Sequence, residues 1–122
     1  MSQIAFKSLD TVWCGVTDMD RAVEFYRDRL GLEPGYTSQF WTSFKLAEGL
    51  QLGLHGGGGG ANGGFVVSFL TDDLKALRSS LESAGVQVGD YHDTPRGAIM
   101  DVFDPDGNRL QAMQLGAKAA EL

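Results

Sequence analysis

The stretch Val16-Thr17-Asp18-Met19-Asp20-Arg21-Ala22-Val23-Glu24-Phe25-Tyr26-Arg27-Asp28-Arg29-Leu30-Gly31-Leu32 places apolar residues at Met19, Ala22, Val23, Tyr26 and Leu30, the three-and-four spacing of one helix face. Thr17-Asp18 supplies side-chain oxygens before the first apolar position, and Gly31 follows the last one; these are start and stop signals for a helix of about three turns. Sliding the sequence by 54 positions brings the pattern back. Thr71-Asp72 opens the second copy, Leu74, Leu77, Leu81 and Ala84 form its apolar face, and Gly85-Val86 closes it, the glycine standing thirteen residues after the aspartate in both copies. Self-similarity at a fixed period is the signature of a repeated structural unit, so the chain reads as two copies of one module.

Around each helix the apolar period changes from helical to two, the period of a strand. Strands are expected at Leu9–Val16 before the first helix and near Glu33–Thr37, Phe40–Leu46 and Leu50–His55 after it. The second copy repeats the order, with Phe65–Leu70 before its helix and Val86–Tyr91, Ala98–Phe103 and Arg109–Leu115 after it. Each module is therefore strand–helix–strand–strand–strand. The last two strands are joined by Asp104-Pro105-Asp106-Gly107-Asn108, whose proline and glycine suit a tight hairpin. Strand parity separates two faces: Leu50, Leu52 and Leu54 form an apolar row for the helix, leaving Gln51, Gly53 and His55 as a mixed row. In the final strand Arg109, Gln111 and Met113 make a second mixed row.

Composition restricts the function further. The chain has 122 residues, 43% hydrophobic and 21% charged, which fits one compact domain made of the two modules, about 7–55 and 65–115. Ten Lys+Arg against sixteen Asp+Glu give a net charge of -6, which repels a phosphate backbone and argues against nucleic acid as a partner. Cys14 is the single cysteine, so neither an intrachain disulfide nor a cysteine-pair zinc site is expected. No apolar run approaches the length of a membrane span and the N-terminus does not read as a secretion signal, so no membrane partner and a cytoplasmic location are expected. Seven of the seventeen glycines lie in the nine residues 56–64. That stretch has no Lys, Ser or Thr and does not lead into a helix, so it reads as a flexible joint rather than a phosphate loop. Such a joint lets the modules pair within one chain or be exchanged between two.

The Val16–Leu32 stretch, followed by Asp104-Pro105-Asp106-Gly107-Asn108-Arg109-Leu110-Gln111, resembles the vicinal oxygen chelate superfamily: glyoxalase I, bleomycin-resistance proteins, fosfomycin-resistance enzymes and extradiol dioxygenases. The resemblance runs from about Leu9 to Leu115. It implies an α+β fold in which two βαβββ modules form an eight-stranded curved mixed sheet, a cup, with helices on its outer face, commonly in a homodimer. It also implies a cavity holding a divalent metal on His and Glu side chains, with positions open for two neighbouring substrate oxygens. Carried onto this sequence, the four ligand positions fall on Thr11, Gly53, Phe65 or Val66, and Gln111. A threonine hydroxyl and a glutamine amide are weak transition-metal ligands, and glycine, phenylalanine and valine offer none, so no metal and no other cofactor is expected.

With those positions changed, a ligand in the cup is expected to be held by shape, ring stacking and a few hydrogen bonds. Parity from Thr11 turns Trp13 inward. Of Trp41 and Phe44, which have opposite parity, one faces the cup. Ile99, Asp101 and Phe103 share a face placed inward by the hairpin. The candidate ligand-binding residues are Trp13, Trp41, His55, Asp101, Phe103, Arg109 and Gln111. Asp101 reads as an acidic anchor or as an ion pair with Arg109 across the hairpin, and such a pair can itself anchor a ligand, so the two readings are not exclusive. His55 and His92 read as an acid–base or hydrogen-bonding group or as solvated strand ends. Cys14, opposite Trp13, is expected under the helix. The leading expectation is a metal-free small-molecule-binding protein taking an apolar or aromatic ligand. The alternatives are a glyoxalase-like lyase or isomerase or a dioxygenase-type enzyme, and an interaction module whose cavity is filled by its own side chains.

Overall fold

The computed structural model describes residues 6, 8–47, 49–57, 64–105 and 107–122. Strand β1 (Ser8–Gly15) leads into helix α1 (Met19–Glu24), which continues as a π-helical turn (Phe25–Arg29) before β2 (Pro34–Thr37), β3 (Trp41–Ala47) and β4 (Leu50–His55). Strand β5 (Val66–Leu70), helix α2 (Leu74–Ser83), β6 (Val88–Asp93), β7 (Gly97–Phe103) and β8 (Arg109–Leu115) repeat the order, and a short turn of 3-10 helix, Ala119–Glu121, ends the chain. These elements make an eight-stranded, mixed, open sheet with two helices, an α+β architecture. The first module contributes its strands in the order β2-β3-β4-β1 and the second in the order β5-β8-β7-β6. The chain divides into two compact units, residues 10–67 and residues 1–9 with 68–122. Most of the expected glycine joint, residues 58–63, lies outside the described residues.

In residues 10–67, β1 pairs with β4 in parallel and β3 with β4 antiparallel. Cys14, Phe44, Leu52 and Leu54 project from the strands onto Met19 and Val23 of α1, with Tyr26 and Leu32 packed at the edge. Phe44 is therefore a core residue, and its ring meets Tyr26 at 5.8 Å between centroids. In the other unit α2 lays Leu74, Leu77 and Leu81 onto Ala98, Met100, Val102 and Ala112 of β7 and β8. Removing each of those leucines from water contributes about 2 kcal/mol. The hairpin between β7 and β8 closes as its sequence suggests: the Gly107 amide donates to the Asp104 carbonyl at 2.9 Å, and the Asn108 amide to the Asp104 carboxylate at 2.8 Å. Gly107 sits at φ +85°, a region that favours glycine.

Two expectations are corrected at the helix ends. Asp18 caps α1 by accepting from the Arg21 amide at 3.1 Å, but α2 is capped by Asp73, accepting from the Ala76 amide at 3.0 Å, and not by Asp72. From cap to closing glycine there are thus thirteen residues in the first helix and twelve in the second. The additional residue is taken up by the π turn, where Leu30 bonds back to the Phe25 carbonyl at 3.2 Å, five residues away. The sixth strand begins at Val88 rather than at Val86. Gly85, at φ +79°, donates to the Glu82 carbonyl and Val86 donates to the Leu81 carbonyl. This paired closure is the Schellman arrangement, and it commits the Val86 amide to the helix end.

Candidate functional site

Register determines the face of every strand residue in the first module. Thr11 lies beside Gln51, Trp13 beside Gly53 and Gly15 beside His55, while across the other edge of β4, Trp41 pairs with His55, Ser43 with Gly53 and Lys45 with Gln51. Cross-strand partners share a face, so these residues stand opposite the α1 core. Trp41, rather than Phe44, is on the mixed face. Along β3 and β4 it forms three rungs: Trp41 with His55, Ser43 with Gly53, and Lys45 with Gln51.

The middle rung shows why residue 53 is a glycine. A Cβ there would collide with the far edge of the Trp41 indole and lie 3.1 Å from the Trp13 Cβ. The indole thus extends from the first rung across the bare backbone of the second. Trp13 meets Trp41 edge-on, with centroids 6.2 Å apart and planes at 63°, a favourable geometry for rings. The His55 ring stands 5.7 Å from Trp13. Its Nδ1 accepts from the Gly57 amide at 3.3 Å, which leaves the proton of the neutral ring on Nε2. Both indoles are half-buried and His55 is exposed. Beyond them the face deepens into an open groove of about 290 Å³ at Gly35, Ser43, Lys45, Gly49 and Gln51.

On the opposite face Cys14 lies in the α1 core. Burial pushes its thiol pKa up, against a smaller lowering by a hydrogen bond with Tyr26. Burial, and then the neighbouring Cys14, push the Tyr26 hydroxyl up. A buried thiol held in its neutral form is not a nucleophile.

The second module carries a different set. β7 and β8 pair Ile99 with Met113, Asp101 with Gln111 and Phe103 with Arg109, all on the face away from the α2 core. The Gln111 Nε2 donates to the Asp101 carboxylate at 3.0 Å, and the Arg109 guanidinium lies 3.6 Å from its other oxygen. Of the two readings of Asp101, the ion pair with Arg109 is formed, and Gln111, which is buried, joins it. His92 pairs with Ile99 and is exposed. The seven candidates therefore gather into two groups, each within its own module: Trp13, Trp41 and His55 in the first, and Asp101, Phe103, Arg109 and Gln111 in the second.

A family model for the Glyoxalase/Bleomycin resistance protein/Dioxygenase superfamily matches residues 8–112. The chain belongs to this superfamily. Among curated proteins there is no match. Three solved structures show how the superfamily fold is shared. One, described as NAD-dependent benzaldehyde dehydrogenase from Legionella pneumophila, is 22% identical with a TM-score of 0.72 over 86% of this chain and 97% of that one. Methylmalonyl-CoA epimerase from Mycobacterium tuberculosis is 22% identical with a TM-score of 0.70 over 100% of this chain and 97% of that one. A variant of homoprotocatechuate 2,3-dioxygenase from Brevibacterium fuscum is 17% identical with a TM-score of 0.67, covering 91% of this chain and 33% of that longer one. At these identities the likeness is one of fold.

The divalent metal of superfamily enzymes is not matched by the side chains at the four corresponding positions. The Thr11 hydroxyl is buried and donates to Asp10 at 2.8 Å. Gly53 has no side chain, and the Trp41 indole covers it. Phe65 and Val66 are apolar, and Gln111 spends its amide on Asp101. Among the described residues no three His, Cys, Asp or Glu side chains group as a metal site. These residues do not fit the metal. Among the described residues, also, no helix is long and apolar enough to cross a membrane.

The sequence alone left Trp41 undecided and passed over Lys45, Ser43 and the groove. The parity of Trp41, Ser43 and Lys45 in β3 was the available signal, but it needed the pairing of β3 with β4 to be interpreted.

Proposed function

We propose that this chain is a small-molecule-binding protein of the glyoxalase/bleomycin-resistance type that takes an apolar or aromatic ligand without the metal used by superfamily enzymes. The observation that supports this reading is the edge-on pair of Trp13 and Trp41 lying over a glycine, with His55 beside it. Two half-buried indoles present a large, rigid apolar area at little conformational cost, with the His55 ring beside it. In the second module Asp101, Arg109 and Gln111 form a polar set beside Phe103, to which the proposal assigns hydrogen bonding with polar groups of a ligand. For the assembly we propose a homodimer, on the strength of superfamily membership; light scattering should give about twice the 13.1 kDa chain mass, and a monomer would refute it.

Tryptophan fluorescence and thermal shift against a panel of neutral planar aromatic compounds test the binding reading. A saturable spectral change with a rise in Tm is expected, and Trp41→Ala should abolish it. No ligand-dependent change across a broad panel would overturn the proposal. Elemental analysis after incubation with Ni, Zn, Mn or Fe tests its second half: stoichiometric metal would refute the metal-free reading and favour lyase, isomerase or dioxygenase chemistry.

A further inference from the structure

We propose that the ligand of the first module is an anionic amphiphile, a planar apolar body carrying a carboxylate or phosphate, whose charged end docks in the groove at Lys45. This rests on the aromatic-binding reading above and adds to it the chemical class of the other end of the ligand.

Among the strand residues whose face the register assigns, Lys45 is the only Lys, Arg, Asp or Glu opposite the α1 core. In a chain of net charge -6, the described strand rows assigned to this face hold one cation and no carboxylate. Among the described residues no carboxylate is ion-paired with Lys45. Its surroundings combine the polar side chains of Ser43 and Gln51 and the bare backbone of Gly35 and Gly49 with the apolar Ala47 and Leu50. Gln51 is its direct cross-strand neighbour, which sets the two Cβ atoms about 5 Å apart. The Ser43 oxygen accepts from the Tyr36 amide at 3.3 Å, which leaves the hydroxyl proton to be donated outward. Gly35 and Gly49 add no side chain to fill the groove, whose volume of about 290 Å³ exceeds a carboxylate or a phosphate several times over and leaves room for the start of a linker.

Geometry ties this groove to the tryptophans. The Lys45–Gln51 rung lies two residues along the strand from the Ser43–Gly53 rung that the Trp41 indole covers, a separation of about 7 Å. A ring stacked on the indoles and an acid group at Lys45 are thus joined by a short linker of three or four carbons. A neutral aromatic would use the indoles alone, and a dianionic compound without a ring would use the groove alone.

Isothermal titration of the full chain with naphthylbutanoate and with its methyl ester tests the inference. The acid should bind the wild-type protein about fivefold more tightly than the ester, the size of effect a partly exposed ion pair with added donors supports, and the margin should shrink as salt is raised. Lys45→Gln, an exposed substitution, should reduce the acid to the affinity of the ester while leaving the ester unchanged. Equal binding of acid and ester to the wild type, or an acid preference that survives Lys45→Gln, would overturn the anionic end and leave the aromatic reading standing. Failure of both probes to bind would overturn the two together. Naphthylbutyl phosphate in place of the carboxylate distinguishes the two acids: tighter binding of the phosphate assigns the groove to it.

Discussion

Gly53→Ala tests the physical centre of the first module. A methyl group at this position would occupy the space now held by the edge of the Trp41 indole, and would also press on the Trp13 Cβ at 3.1 Å. The obstructing atoms are the far end of a half-buried side chain, so the ring can swing aside and the backbone need not move. The cost is then what the indole loses: its edge-on contact with Trp13, about 0.5–1.5 kcal/mol, plus packing strain of about 1 kcal/mol, the low end for an inserted methyl. Removing a glycine from the unfolded chain returns about 0.4–1 kcal/mol. The net expectation is a destabilisation of about 1 kcal/mol, a fall in Tm of about 3–6 °C, with an altered tryptophan emission and near-UV circular dichroism. Urea unfolding of a double-mutant cycle provides the measurement. In a Trp41→Ala background only the 3.1 Å approach to the Trp13 Cβ remains, so the cost of Gly53→Ala should there be smaller or absent. A cost of the same size in both backgrounds would refute the account of the indole over the glycine.

The other glycines give a graded comparison. At Gly97 a Cβ would meet the Gln114 carbonyl and the Gly116 amide, which are backbone and cannot swing away, so Gly97→Ala should cost about 3 kcal/mol or more. At Gly35 the nearest atom is the Ser43 hydroxyl at 3.6 Å, an ordinary contact, so Gly35→Ala should change stability by less than about 0.5 kcal/mol in urea unfolding; the reverse order of the two would contradict the close approaches described. For pH, burial raises the Cys14 thiol in the folded state. Its contribution to stability is fully present below the unfolded thiol value of about 8.5 and is lost as pH rises through the higher folded value. Stability measured in urea should therefore fall as pH rises above about 8.5, less steeply in Cys14→Ala; equal slopes in the two proteins would count against the burial of this thiol. Tyr26, also raised, continues the fall at higher pH.

Much of the fold was legible because the repeat doubled every local signal. Leu50–His55 and Arg109–Leu115 were read to the residue from alternation and turn chemistry, and Gly31 and Gly85 marked both helix ends. What escaped detection depended on hydrogen bonds that pattern does not encode. Val86 has the composition of a strand residue, yet its amide is spent closing α2. The tandem Asp72-Asp73 offered two caps of equal chemistry, and only the helix start separates them. The site was legible in part. The parity of Trp13 followed from its own strand, whereas that of Trp41 required the register of β3 on β4. The groove at Lys45 was invisible because its lining comes from β2, β3 and β4 together, and its most permissive members, Gly35 and Gly49, are recognised by the side chains they lack.

The π turn in the first helix has a consequence for how this chain tolerates change in length. Inserting one residue into a regular helix rotates everything beyond it by about 100°, which would turn either Met19 and Val23 or Leu32 off the sheet. The wide turn at Phe25–Arg29 absorbs that phase error within five residues, and the closing bond from Leu32 to the Tyr26 carbonyl spans one residue more than its counterpart from Val86 to Leu81. The first helix therefore holds a spare residue. A single deletion at Asp28, which makes an exposed pair with Arg27, converts the turn to ordinary helix and brings the two helices to equal length from capping aspartate to closing glycine. The same deletion within Leu74–Ser83 has no such slack to draw on and puts Leu74, Leu77 and Leu81 out of step with one another.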